Sequence, residues 1–308
     1  MRLPIRLVVG LCLSSLLATV PAVAKDATAP PGYDEELRQV WDLLDHKQYP
    51  AAITALERLD QLAGGRCGDC LLYLAEAHGG AGHRGEAAGA ARRAIPLVSD
   101  PERLAYAYSS LGFALVDKDA GPNQLAEAEA AVRKTLELDG EGRFQSWGLH
   151  TLGWILFHRQ HYDDLVAVGR EYLESHPEGP DEALARSLIC VGRNVGNIPG
   201  PEPEVAKPAE SVGKSAVIPP VSLYRPSPGY TDGAREARIE GTVVVRAVLD
   251  TEGCVVNSDI LQSLDPELDQ RVLDTLRYWA FRPASFEGRP VKVSYSLTVN
   301  FKRSADAP

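Results

Sequence analysis

The residues with the clearest chemical potential are the two cysteines of CGDC, Cys67 and Cys70. The surrounding pattern puts them at the mouth of a helix. Residues three apart on a helical turn bring their Cα atoms near bridging range, so a short local disulfide is one reading. A redox dithiol is the other, because a helix N-terminus lowers a thiol pKa. The flanking segments read as paired helices rather than the mixed strands and helices of a redox fold, which favours the disulfide. Leu71 stands where haem attachment through CxxC needs a histidine. His78 and His83 follow, but Cys70 and His78 are separated by ~12 Å along one helix at ~1.5 Å per residue. Such a pair cannot share a zinc ion with bonds of ~2.0–2.3 Å. No metal is expected.

His158 and His161 straddle the end of a predicted helix and read as capping or surface residues. Asp250 and Glu252 form a pair of neighbouring carboxylates, yet they fall in DTEG, where Asp and Gly are turn formers. The chain has no nucleophile elbow, phosphate loop, metalloprotease helix or dinucleotide fingerprint. No catalytic residue, enzyme activity or cofactor is expected, and binding surfaces are the remaining candidates.

The elements that would carry such surfaces follow from the rest of the chain. Its 308 residues suffice for two ordinary domains, and 44% hydrophobic with 24% charged residues is the balance of a soluble globular protein. The first 24 residues differ: Arg2 and Arg6 precede the apolar run LVVGLCLSSLLATV, and Ala22–Val23–Ala24 offers a small-residue cleavage site. The expectation is a secretory signal, 1–24, a flexible N-terminus, 25–32, and a periplasmic location without membrane insertion once the signal is cleaved. An uncleaved inner-membrane anchor is the alternative. The formal charge is −10, and the segment from Val221 onward holds eleven basic and twelve acidic side chains, leaving the excess on the preceding part. That balance opposes nucleic acid as a partner.

Residues 33–197 read as helix pairs. YSSLGFAL (Tyr108–Leu115) and LHTLGWIL (Leu149–Leu156) share a Leu-Gly pattern, and LLYLAEAH (Leu71–His78) repeats it with Ala. The small residues Ala75, Gly112 and Gly153 permit close helix approach while their large neighbours fill the groove. Each is followed by a second amphipathic segment, with 37 and then 41 residues between the Leu-Gly marks. These segments resemble tetratricopeptide repeats (TPR), whose period is about 34 residues. Glu35–Leu62 is a degenerate first pair, and Asp181–Val191 reads as a capping helix. The resemblance implies a concave groove able to hold a peptide.

Residues 198–220, IPGPEPEVAKPAESVGKSAVIPP, are Pro-rich and without period, hence a linker reaching about 70 Å at ~3.1 Å per residue. From Val221 the pattern turns to strands. IEGTVVVRAVLD and CVVNSDILQSL flank the DTEG turn as a hairpin. DPELDQRVLDTLRYW is a helix with Asp265 as N-cap and Leu268, Val272, Leu276 and Trp279 on one face. The end alternates strictly: Val291, Val293, Tyr295, Leu297, Val299 and Phe301 on one face, Lys292, Ser294, Ser296, Thr298 and Asn300 on the other. IEGTVVV, D-x-x-G at Asp250–Gly253, W-x-F-x-PA at Trp279–Ala284, G-x-PV at Gly288–Val291 and the final NF occur in an order similar to the TonB family C-terminal domain. The family's Tyr-Pro is a departure here, Tyr230 being followed by Thr231.

The expected fold is thus multidomain: an all-α TPR-like repeat domain, 33–197, and a small α+β domain, 221–308, with an antiparallel sheet under a covering helix. The resemblance implies that Val291–Phe301 is an edge strand that captures the N-terminal box of an outer-membrane receptor by strand addition, with Tyr230 and Thr231 at a partner-contact position. The expected function is a non-enzymatic periplasmic adaptor with protein partners at both domains. The alternatives are a TonB-type energy transducer and a thiol oxidoreductase at Cys67 and Cys70. The cysteines 67, 70, 190 and 254 allow three full pairings, which the sequence leaves open.

Overall fold

The computed structural model describes residues 33–117, 119–140, 142–198 and 217–302. The expected signal, 1–24, the stretch 25–32 and linker residues 199–216 lie outside the described residues. Two compact units divide between Arg159 and Gln160.

The first unit is helical and repeat-like. It comprises α1 (Tyr33–Asp45), α2 (Tyr49–Leu62), α3 (Gly68–Gly80), α4 (Arg84–Ala94), α5 (Pro101–Leu115), α6 (Pro122–Leu138) and α7 (Gln145–His158). Each helix packs on the next, and α5 also touches α3 and α7, as in a stacked helix array. Local chemistry sets the ends: Asp100 accepts a hydrogen bond from the Arg103 N–H at 3.0 Å, and Pro101 opens α5. Small residues set the spacing. A Cβ on Gly112 would sit 2.9 Å from the Val132 side chain, and one on Gly148 2.5 Å from Leu136. The Tyr106 hydroxyl donates to Glu76 at 2.5 Å, joining α5 to α3. Burial raises the Glu76 pKa, and this bond works against the rise.

The second unit begins with two helices, α8 (Tyr162–Ser175) and α9 (Glu182–Gly196). Their backbones nearly touch: a Cβ on Gly169 would lie 2.6 Å from the Ala185 carbonyl, and one on Gly192 2.9 Å from that of Tyr162. The chain continues through β1 (Val221–Tyr224), α10 (Asp232–Glu236), β2 (Gly241–Leu249), β3 (Val255–Gln262), α11 (Pro266–Leu276), β4 (Ala280–Arg282), β5 (Ser285–Phe286), β6 (Arg289–Pro290) and β7 (Val293–Phe301). The main sheet is antiparallel in the order β3-β2-β7, with β1-β4 and β5-β6 as small separate ladders. Asp265 caps α11 by accepting from the N–H groups of Glu267 and Leu268. That helix lays Leu268, Val272 and Leu276 on Val243, Val245, Ala247 and Leu249, with Trp279, Leu297, Val299 and Phe301 closing the core. The expected small α+β fold is present, and it is preceded by helices.

Two features depart from the sequence reading. The helix expected to cap the repeats is not a solvent-facing cap. α9 belongs to the unit that contains the sheet, packs on β1 and β4, and buries Ala185, Leu188, Ile189, Cys190 and Arg193. The covering strands, four and three residues long, are too short to announce themselves by period. Second, both described ends of the linker belong to this one unit, so the linker connects parts of a single body. Among the described residues no helix is long and apolar enough to cross a membrane.

Candidate strand-docking site

β2 is the central strand, and its two neighbours are built differently. β7 pairs with it without interruption from Gly241 opposite Phe301 to Leu249 opposite Val293. β3 slips twice. Val244 faces Gln262 but Val245 faces Ile260, and Val248 faces Asn257 but Leu249 faces Val255. Leu261 and Val256 are the residues left out at these bulges, 53% and 42% exposed. Bulges twist a strand and disrupt its edge against further pairing. One edge of the sheet is therefore broken and the other regular.

On β7 the apolar alternation is only partly buried. Leu297, Val299 and Phe301 are in the core, whereas Val293 is half-buried and Tyr295, on the same face, is 38% exposed. The strand begins at Val293; Val291 and Lys292 precede it, and the Val291 N–H donates to the Ala284 carbonyl at 2.8 Å. The reason is length. Eleven residues of α11 extend about 16 Å at ~1.5 Å each, against about 30 Å for a nine-residue strand at ~3.4 Å. Ser294, Ser296, Thr298 and Asn300 are exposed on the opposite face.

Tyr230 and Thr231 stand at the end of β7. The Tyr230 ring meets Phe301 edge-on with centroids 5.3 Å apart, and its hydroxyl donates to the Ile239 carbonyl at 3.1 Å. Thr231 caps α10, its hydroxyl accepting from the Ala234 N–H at 3.2 Å. Its φ of −76° lies within the range a proline ring adopts. A threonine here thus supplies a cap at a backbone angle that a proline could also adopt.

The β2–β3 turn is held from outside. Cys254 is bonded to Cys190 of α9, and both are fully buried. Arg193, 4% exposed, contacts Asp250 at 2.5 Å and Glu252 at 2.7 Å, and Arg170 reaches Glu252 at 2.7 Å. Asp250 also accepts from the N–H groups of Glu252 and Cys254, at 3.0 and 2.9 Å. The turn-former reading covers that second role alone, since the arginine lies too far away in sequence to be paired by pattern. Gly253 is required here: its φ is +86°, and a Cβ would fall 1.8 Å from the Phe281 carbonyl oxygen. On the adjoining side Glu182, buried, bonds Arg282 and Arg186. Burial raises its pKa, the two guanidinium groups more than offset this, and the carboxyl is held below its ordinary value.

In the first unit Cys67 and Cys70 form the second disulfide. Cys67 is the N-cap of α3 and accepts from the Cys70 N–H at 3.1 Å, while the Tyr33 hydroxyl lies 3.1 Å from its sulfur. Exposures of 7% and 0% leave little access for an attacking thiolate. His158 stacks on Trp154 at 3.8 Å, and His161 lies 3.5 Å from Asp164. A half-open cleft of ≈ 790 Å³ lies among α2, α3 and α4. Glu57, His78 and Glu86 line it with an Asp60–Arg93 pair at 2.7 Å.

A three-stranded antiparallel sheet with one covering helix and one regular outer strand defines a small domain of α+β type. Its motifs have a family. Residues 226–303 match the family model described as Gram-negative bacterial TonB protein C-terminal, and this part of the chain is similar to that domain. Over 76 residues the chain is 36% identical to Protein TonB of Vibrio cholerae serotype O1, a match that takes in 24% of this chain and 31% of that protein. The chain therefore covers under a third of that relative's length. No solved structure matches.

Proposed function

We propose that this chain is a non-enzymatic adaptor of the cell envelope, exported to the periplasm, whose TonB C-terminal domain captures an extended protein segment by strand addition on β7. The repeat-like helices dock a second protein, with the cleft among α2, α3 and α4 as the candidate groove. The observation that carries this reading is the asymmetry of the sheet: nine consecutive residues of β7 pair in register, while β3 is bulged twice. An unbroken edge offers backbone N–H and C=O groups in the spacing a new strand needs. The N-terminal box of an outer-membrane receptor is the partner that the TonB resemblance suggests. Titrating the isotope-labelled full chain with a receptor-box peptide tests it. The amides of Val293–Phe301 shift as peptide approaches millimolar concentration; unmoved β7 amides would overturn strand addition.

The TonB match favours a second reading, an energy transducer that acts on outer-membrane receptors. Transduction calls for a retained membrane anchor and a linker free to extend, whereas here the linker's two ends sit in one unit joined by Cys190–Cys254. Intact mass of the mature chain separates the two: a start at Lys25 supports the adaptor, and retention of residues 1–24 supports the transducer.

A further inference from the structure

Resting on the reading that the chain is exported, we propose that it is a substrate of a thiol oxidase of the export compartment. That oxidase closes the disulfides described above in the order in which their cysteines emerge, without help from a disulfide isomerase. The structure selects one of the pairings the sequence leaves open: Cys67 with Cys70 and Cys190 with Cys254. Each cysteine is thus bonded to its nearest neighbour along the chain, Cys12 being lost with residues 1–24 in the export reading. Each bond also lies inside one compact unit, the first in Leu7–Arg159 and the second in Gln160–Pro308. Either alternative pairing would tie one unit to the other.

Order of emergence leads to this pairing. Cys67 and Cys70 arrive together, and each meets the other far more often than it meets the distant Cys190. Their bond settles the start of α3, where the Cys67 sulfur accepts from the Cys70 N–H at 3.1 Å. With that pair closed, Cys190 has no earlier thiol to meet, and Cys254 is the next to arrive. They stand 64 residues apart, a stretch made in about 3–13 s at ~5–20 residues per second. Burial then fixes the result. Cys70, Cys190 and Cys254 are fully buried and Cys67 nearly so. Disulfides are exchanged by thiolate attack on a sulfur, and sulfurs without exposed surface offer an isomerase nothing to attack. Correct pairing therefore precedes the closing of each unit.

Each bond takes two exchanges. The Cys67 thiolate attacks the disulfide of the oxidase, forming a mixed disulfide and releasing one oxidase thiolate. The Cys70 thiolate then attacks the Cys67 sulfur, so that the Cys67–Cys70 bond forms and the second oxidase sulfur departs as a thiolate. Two electrons pass to the oxidase, and the two protons lost by the thiols of the chain are taken up by those of the oxidase. At the second bond Cys190 forms the mixed disulfide and waits for Cys254 to resolve it. Cys254→Ser removes the resolving thiol and holds the chain on the oxidase at Cys190.

The test expresses the full chain in three Gram-negative hosts: one unaltered, one without its periplasmic thiol oxidase and one without its periplasmic disulfide isomerase. Maleimide labelling reads free thiols, and peptide mass mapping reads the pairs. The unaltered and isomerase-free hosts give the same unreactive chain with the same pairs, whereas the oxidase-free host leaves its thiols reactive. Cys254→Ser yields a reducible adduct of chain and oxidase at Cys190, seen whether or not that variant folds. Cys67→Ser separates order of emergence from the folded structure as the cause. In that variant Cys70 meets Cys190 first, and the yield of Cys190–Cys254 falls when the isomerase is absent. Mispairing of the unchanged chain in the isomerase-free host overturns the proposal and leaves export standing. So does a Cys67→Ser variant that forms Cys190–Cys254 equally with and without isomerase. Reactive thiols in every host overturn the export reading, and the proposal with it.

Discussion

β3 and β7 flank the same central strand and receive opposite treatment. β3 leads out of a turn that is bonded to α9 by a disulfide and by Arg193, and its ladder is broken at Val256 and Leu261. β7 is regular along its length, and its Thr298 carbonyl accepts a hydrogen bond from the Arg225 side chain. A sheet edge invites pairing, and proteins that gain nothing from pairing disrupt it. Here the disruption is confined to the braced side. The difference is one of construction: one flank is fixed to α9, and the other keeps the ordered edge on which the proposed strand addition rests.

The largest way to break this comparison is to release the brace. A disulfide closing 64 residues of chain is worth about 4 kcal/mol by loop entropy, against about 2 kcal/mol for one that spans three. Cys190→Ala with Cys254→Ala therefore lowers stability of the second unit in urea by roughly twice as much as Cys67→Ala with Cys70→Ala lowers the first. Equal losses would mean that Cys190–Cys254 spans parts already held together without it.

Arg193 comes next. Its removal leaves Asp250 and Glu252 facing each other without their buried cation, and breaking a buried pair in this way costs about 3 kcal/mol. Arg193→Met, measured by urea unfolding, falls by that amount. Arg246→Met, which loses a half-exposed pair with Asp259 on the outer face of the sheet, changes stability by less than about 1 kcal/mol. A similar effect at both positions would deny the brace any special weight.

Leu297→Ala probes the presenting strand itself. At 3% exposure under α11 it leaves a cavity, and about 2–3 kcal/mol is expected from chemical denaturation. Tyr295→Ala, two residues away on the same face but overhanging the helix, costs less than half of that. Acid then tests the brace from its other side. Glu182 is held below its ordinary value of 4.5, so its contribution is full above that value and fades as pH falls through the depressed one. Glu182→Gln flattens the acid limb of the melting temperature below 4.5; a limb as steep as in the unchanged chain would assign acid sensitivity elsewhere.

Much of the fold was legible because it is periodic. Leu268, Val272 and Leu276 repeat at helical spacing and do face the sheet, and Leu297, Val299 and Phe301 alternate as a strand and do enter the core. What the period hid was anything shorter than itself or far apart in sequence. β1, β4 and α10 have three to five residues each. The disulfide partner of Cys254 lies 64 residues away, and nothing local distinguishes it from the other two pairings. The docked face of α9 is hidden for a related reason: Cys190 and Arg193 find their partners, Cys254 and Asp250, only across the fold. Arg225 left no mark at all, since a lone arginine after a short strand is ordinary in sequence.

The bulges did leave a signal. Val255-Val256 and Ile260-Leu261 are adjacent apolar doublets in a strand that should alternate, and in each the second residue is the one expelled. The smallest expected effect therefore lies there. Leu261→Ser removes no core contact, and stability stays within about 0.5 kcal/mol of the unchanged chain. Deleting Leu261 is a different perturbation, because it removes the extra residue and lets β3 continue in register with β2. If bulging is what keeps that edge closed, the deletion leaves only the bulge at Val256 and makes the edge regular from Asn257 onward, and the chain self-associates in sedimentation while Leu261→Ser stays at its original size. A deletion variant that sediments as before would mean that the brace, and not the bulge, protects β3.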